Sequence, residues 1–82
     1  MMIEIECAVS GVKPGMVEKE GWQFRESAFW DYSNYGCRVK GPCGEVYTFM
    51  PSIQEGIERK MLCGREVVAE RIGKNRIRIQ VE

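Results

Sequence analysis

Four cysteines, Cys7, Cys37, Cys43 and Cys63, carry the most reactive chemistry in this 82-residue chain. As thiolates they could attack an electrophile, hold a soft metal or join in bridges. Zinc ribbons and knuckles bring their ligands in close pairs, so that one turn presents two sulfurs. Here no two cysteines lie within five residues of each other, and the nearest pair, Cys37 and Cys43, flanks a strand and its turn. The N-terminal run Met1-Met2-Ile3-Glu4-Ile5-Glu6 is acidic where a secretory signal is basic. The expectation is therefore a cytoplasmic chain with reduced thiols, no cofactor and no metal. Cys43, with Arg38 and Lys40 close in sequence, is the cysteine whose thiolate is most favoured.

Catalysis lacks its usual parts. The chain has no histidine, so the common general base, proton shuttle and metal ligand are missing at once. Ser-His and Cys-His nucleophilic catalysis cannot be assembled within it. Asp31 is the single aspartate, which leaves carboxylate chemistry to glutamates at solvated positions. No phosphate-cradling glycine loop is present. The sequence reads as non-catalytic.

Two features suit binding instead. Residues 58–78 hold seven basic groups against three acidic ones, while residues 1–31 hold three basic groups against six acidic ones. Arg71, Lys74, Arg76 and Arg78 on the last hairpin could receive an anion, most simply a phosphate backbone. The same arginines could instead lie beside Glu4 and Glu6 if the terminal strands pair, which would neutralise them internally. Zero net charge favours that second arrangement, because dedicated nucleic-acid binders are usually basic overall. The other feature is aromatic: Trp22, Phe24, Phe29, Trp30, Tyr32 and Tyr35 fall within fourteen residues. Trp22 and Phe24 share a strand face and are expected in the core. Trp30, Tyr32 and Tyr35 are the expected partner-contact residues. The leading expectation is a small interaction module that binds a protein partner or assembles with its own copies. The alternatives are nucleic acid, held by the basic hairpin and the aromatics, and a small anionic ligand such as a nucleotide. No apolar run is long enough to span a bilayer, and no membrane partner is expected. Short β-rich chains without a catalytic signature are frequent among phage and mobile-element products, which adds a virion part or an inhibitor of a host protein to the possible roles.

The elements that must position these residues read mostly as strand and turn within one domain, residues 1–82. Ile3, Ile5, Cys7 and Val9 alternate with Glu4, Glu6 and Ala8, the pattern of a half-buried strand. A short strand at Met16-Val17 precedes a charged loop, residues 18–21. Further strands are expected over residues 22–30, with a bulge, and over 36–50 as a hairpin. In that hairpin a four-residue loop, Gly41-Pro42-Cys43-Gly44, sets Lys40 opposite Glu45 and Val39 opposite Val46. A final hairpin spans residues 65–81, and a loop of Gly73-Lys74-Asn75 puts Glu70 opposite Arg78. Residues 52–63 read as the one helix. Ser52 and Glu55 form a capping box, Ile53, Ile57 and Met61 recur at i, i+4 and i+8, and Gly64 supplies the stop. The expected fold is β-rich α+β: a small twisted antiparallel sheet, or an SH3-like or OB-like partly closed barrel, of five or six strands with that short helix.

Overall fold

A computed structural model of the chain describes residues 2–8, 16–27, 36–52, 56–73 and 76–82. Among these residues there are eight strands: β1 (Ile3–Ala8), β2 (Met16–Lys19), β3 (Trp22–Ser27), β4 (Gly36–Lys40), β5 (Val46–Phe49), β6 (Ile57–Leu62), β7 (Arg65–Gly73) and β8 (Arg76–Val81). They form two four-stranded antiparallel sheets, one ordered β1-β8-β7-β6 and the other β2-β3-β4-β5. The second is a plain meander. The first is a meander of three strands to which the N-terminal strand adds by pairing with β8.

The expected α+β architecture does not hold, because the described residues are all-β and their two sheets do not close into a barrel. No helix occurs among the described residues. Residues 53–55 of the expected helix lie outside them, and 57–62 are strand β6. The reason is a degeneracy in the pattern. Positions i and i+4 share a face in a helix and also in a strand, so Ile57 and Met61 fit either. Tertiary context decides for the strand, and both side chains then point outward and stay exposed. Gly56 has a φ of 76°, outside the helical region, and its carbonyl accepts from the Arg71 N–H at 2.6 Å. Gly64 ends no helix. Cys63 and Gly64, at φ 52° and 74°, are the two loop residues of a tight hairpin in which Leu62 pairs with Arg65. Two successive positive φ values match the twist of the strands they join. Glu20 and Gly21 do the same between β2 and β3, where a charged loop was expected.

The β4–β5 register differs from expectation by one residue. Val39 lies opposite Tyr47 and Lys40 opposite Val46, so the loop has five residues and Glu45 belongs to it. Gly41 N–H closes it on the Glu45 carbonyl at 2.9 Å. In the last hairpin Glu70 does face Arg78, Ala69 faces Ile79 and Val67 faces Val81, with a bulge between Arg71 and Gly73.

The core fills the space between the sheets. Ile3, Ile5 and Cys7 from β1, Ile77, Ile79 and Val81 from β8, and Val67 and Ala69 from β7 face Trp22, Phe24, Cys37, Val39 and Phe49 from the meander. No polar or charged residue is buried among the described residues. Strand alternation puts Glu4, Glu6, Arg25, Arg38, Lys40, Glu70 and Arg78 on the outer faces of the two sheets.

Candidate functional site: a basic outer sheet face

Burying Trp22 and Phe24 on β3 and Val39 on β4 forces Gln23, Arg25, Arg38 and Lys40 onto the opposite face of the meander. The register then aligns them. Gln23 pairs with Lys40 and Arg25 with Arg38. Met16 on β2 lies opposite Arg25, and Thr48 on β5 lies opposite Arg38. The result is a shallow concavity of about 170 Å³ lined by Met16, Gln23, Arg25, Arg38 and Lys40. Like charges directly opposite each other in a ladder are destabilising. Among the described residues no carboxylate forms an ion pair with Arg25, Arg38 or Lys40. The acid on this side of β2, Glu18, accepts instead from Gln23 Nε2 at 3.5 Å. The rim is apolar, with Met16 58% and Val46 40% exposed.

The outer face of the other sheet carries more charges and cancels them. Arg76 Nη2 donates to Glu6 Oε2 at 2.7 Å. Arg78 lies between Glu4, at 3.5 Å, and Glu70, at 3.6 Å. Arg59 lies 3.5 Å from Glu66. Arg71 Nε donates to the Pro51 carbonyl at 2.7 Å. Of the basic hairpin residues singled out from the sequence, Arg71, Arg76 and Arg78 are thus engaged within the chain, and Lys74 lies outside the described residues. Trp30, Tyr32 and Tyr35 lie outside them too. Arg38 and Lys40 stand near Cys43 in the sequence, but their grouping with Arg25 is not legible there, because the register of β3 on β4 is set across residues 28–35, which no local rule specifies. Alternation around Phe24 and Val39 was the available signal for their direction.

A second cluster joins the sheets at one end. Cys43, in the β4–β5 loop, and Cys63, in the β6–β7 turn, are linked by a disulfide with Cα atoms 5.7 Å apart. The expectation of reduced thiols fails for this pair, because folding brings together cysteines twenty residues apart. Cys63 N–H donates to Glu45 Oε1 at 3.0 Å, and Cys43 N–H reaches Cys63 Sγ at 3.3 Å. Gly41 makes room for the bridge, since a Cβ there would lie 2.5 Å from Cys63 Sγ and 3.1 Å from the Trp22 ring. The ligand atoms of Cys43, Glu45 and Cys63 lie within 4.8 Å of one another. Two thiolates and a carboxylate suit a soft divalent cation, but sulfurs joined to each other offer no thiolate to one.

Tyr47 marks the seam where β5 and β6, edge strands of different sheets, come together. Its ring meets Phe49 edge-on at 4.8 Å, and Lys60 Nζ lies 5.2 Å from its centroid. A hydrogen bond to Glu58, then the charge of that carboxylate, then partial burial all raise the phenol pKa above its ordinary value.

Against known proteins, the chain matches no family model, no curated protein and no solved structure at a significant level.

Proposed function

We propose that this protein is a small non-catalytic interaction module whose outer β2-β3-β4-β5 face binds an acidic, partly apolar segment of a protein partner. One observation carries it: Arg25 stands directly opposite Arg38, beside Lys40, with no carboxylate to neutralise them among the described residues. A fold that balances the charges of its other face gains nothing structural from this repulsion, whereas an arriving carboxylate relieves it and can be gripped by planar guanidinium groups. The exposed Met16 and Val46 at the rim favour a ligand with apolar side chains among its acids over a bare phosphate backbone. Zero net charge of the whole chain favours it as well. Trp30, Tyr32 and Tyr35 remain candidate contacts, in the connection between β3 and β4.

The test is fluorescence anisotropy with a labelled Glu/Leu-rich peptide and with a single-stranded oligonucleotide, each across a salt series. The expected result is peptide binding that weakens at least tenfold in Arg25→Ala and Arg38→Ala. Both variants should fold, and each should gain about 0.2–1 kcal/mol of stability as the opposed charges separate. Binding of the oligonucleotide alone, with a steep salt slope, transfers the same face to nucleic acid. Absence of both at low salt overturns the proposal.

A further inference from the structure

Cys7 and Cys37 have no role in the basic face or the surface bridge, yet they meet. Cys7 lies on β1 in one sheet and Cys37 on β4 in the other. Their Sγ atoms are 2.9 Å apart across the core. That distance falls between a disulfide bond of about 2.0 Å and ordinary contact between non-bonded sulfurs. Both residues are buried, at 3% and 0% exposure. Cys43 and Cys63 also join a loop of the meander to a turn of the other sheet. The four cysteines therefore sort into two pairs that span the same gap, one inside the sandwich and one at its end.

We infer that Cys7 and Cys37 form a second inter-sheet disulfide, so that the mature protein is doubly stapled. The chemistry is thiol–disulfide exchange with a glutathione-type disulfide. The thiolate of one cysteine attacks a sulfur of that disulfide, releasing one small thiol and leaving a mixed disulfide on the protein. The thiolate of the other cysteine then attacks the protein-side sulfur, the Cys7–Cys37 bond forms, and the second small thiol leaves. Two electrons pass from the protein to the oxidant, and each cysteine loses its proton. Burial keeps oxidants from the folded pair, so the bond forms while the chain is folding. Two staples across one core place the protein where thiols are oxidised, in place of the reducing cytoplasm expected from its N-terminal residues.

The experiment refolds reduced, denatured protein in a glutathione redox buffer, then alkylates it under denaturing conditions without reductant. The expected product takes up no alkyl group, is lighter than the reduced chain by about four daltons, one hydrogen per sulfur, and yields linked peptides Cys7–Cys37 and Cys43–Cys63. A folded product alkylated at Cys7 and Cys37, or one with the cysteines cross-paired, overturns the inference. The double variant Cys43→Ser/Cys63→Ser tests the buried pair alone. Protection of Cys7 and Cys37 in that variant supports the inference, and their alkylation in a sample with β-sheet circular dichroism sinks it.

Discussion

Arg25 and Arg38 illustrate how a single residue acquires a role from its neighbours. Along the sequence Arg25 is a strand residue and Arg38 a neighbour of Cys43, and only when paired across the ladder do they become opposed like charges, the feature on which the proposed binding face rests. Arg76 and Arg78 show the converse, since Glu4, Glu6 and Glu70 absorb their charge. Exposed pairs of this kind contribute at most about 1 kcal/mol each, so their chief effect is to leave that face without surplus charge. Tyr47 permits a direct check at the same scale. Its pKa is raised by Glu58, so the neutral phenol is the form the fold favours. The stability this contributes is present below the unfolded tyrosine pKa of about 10 and is lost as pH rises through the higher folded value. Ultraviolet titration of phenolate absorbance should show one tyrosine ionising late. In Glu58→Gln the late transition should move down towards the ordinary value; an unchanged curve would show that Glu58 is not the cause.

At the scale of elements, β6 and its turn carry the main departure from the sequence reading. Ile57 and Met61 satisfied a helical stripe, but the strand form pairs every residue from Ile57 to Leu62 with β7. An isolated helix of that length would be marginal in water. The turn depends on Gly64, and the neighbouring loop on Gly41, for different physical reasons. Gly64→Ala meets no atom within 4 Å but must hold a φ of 74°, which costs about 1–2 kcal/mol. Gly41→Ala pushes a methyl group into Cys63 Sγ and the Trp22 ring, an overpacking cost of about 1–3 kcal/mol. Urea midpoints measure both. Measured against a Cys63→Ser parent, which already lacks the bridge, the Gly41→Ala cost should be smaller, because the smaller oxygen replaces the sulfur at the closest contact. A Gly41→Ala cost that is unchanged by Cys63→Ser would place the clash elsewhere.

At the scale of the whole molecule, two sheets of four short strands share one apolar core, and a chain this small has little margin beyond that core. The Cys43–Cys63 bridge closes a loop of about twenty residues. By restricting the unfolded chain it should contribute roughly 3 kcal/mol. Cys43→Ser should lower the unfolding free energy of the oxidised protein by that amount, read from chemical denaturation without reductant. A variant as stable as the oxidised parent would show that the link adds nothing. The bridge also holds the loop of the meander to the far sheet.

Local patterning was enough to place the strands around Ile3–Cys7, Gly36–Lys40 and Arg76–Val81, the register at Glu70–Arg78, and the burial of Trp22 and Phe24. Each of these rests on period-two alternation or on a short connection, and both are properties of neighbouring residues. The same local rules misread residues 57–62, because a spacing of four fits two structures and only the presence of β7 selects one. They could not pair the cysteines, which are drawn from distant parts of the chain, nor set Arg25 against Arg38, whose register crosses an unpatterned connection. Those contacts arise when two sheets bury a common core, and the core is a property of the folded chain as a whole.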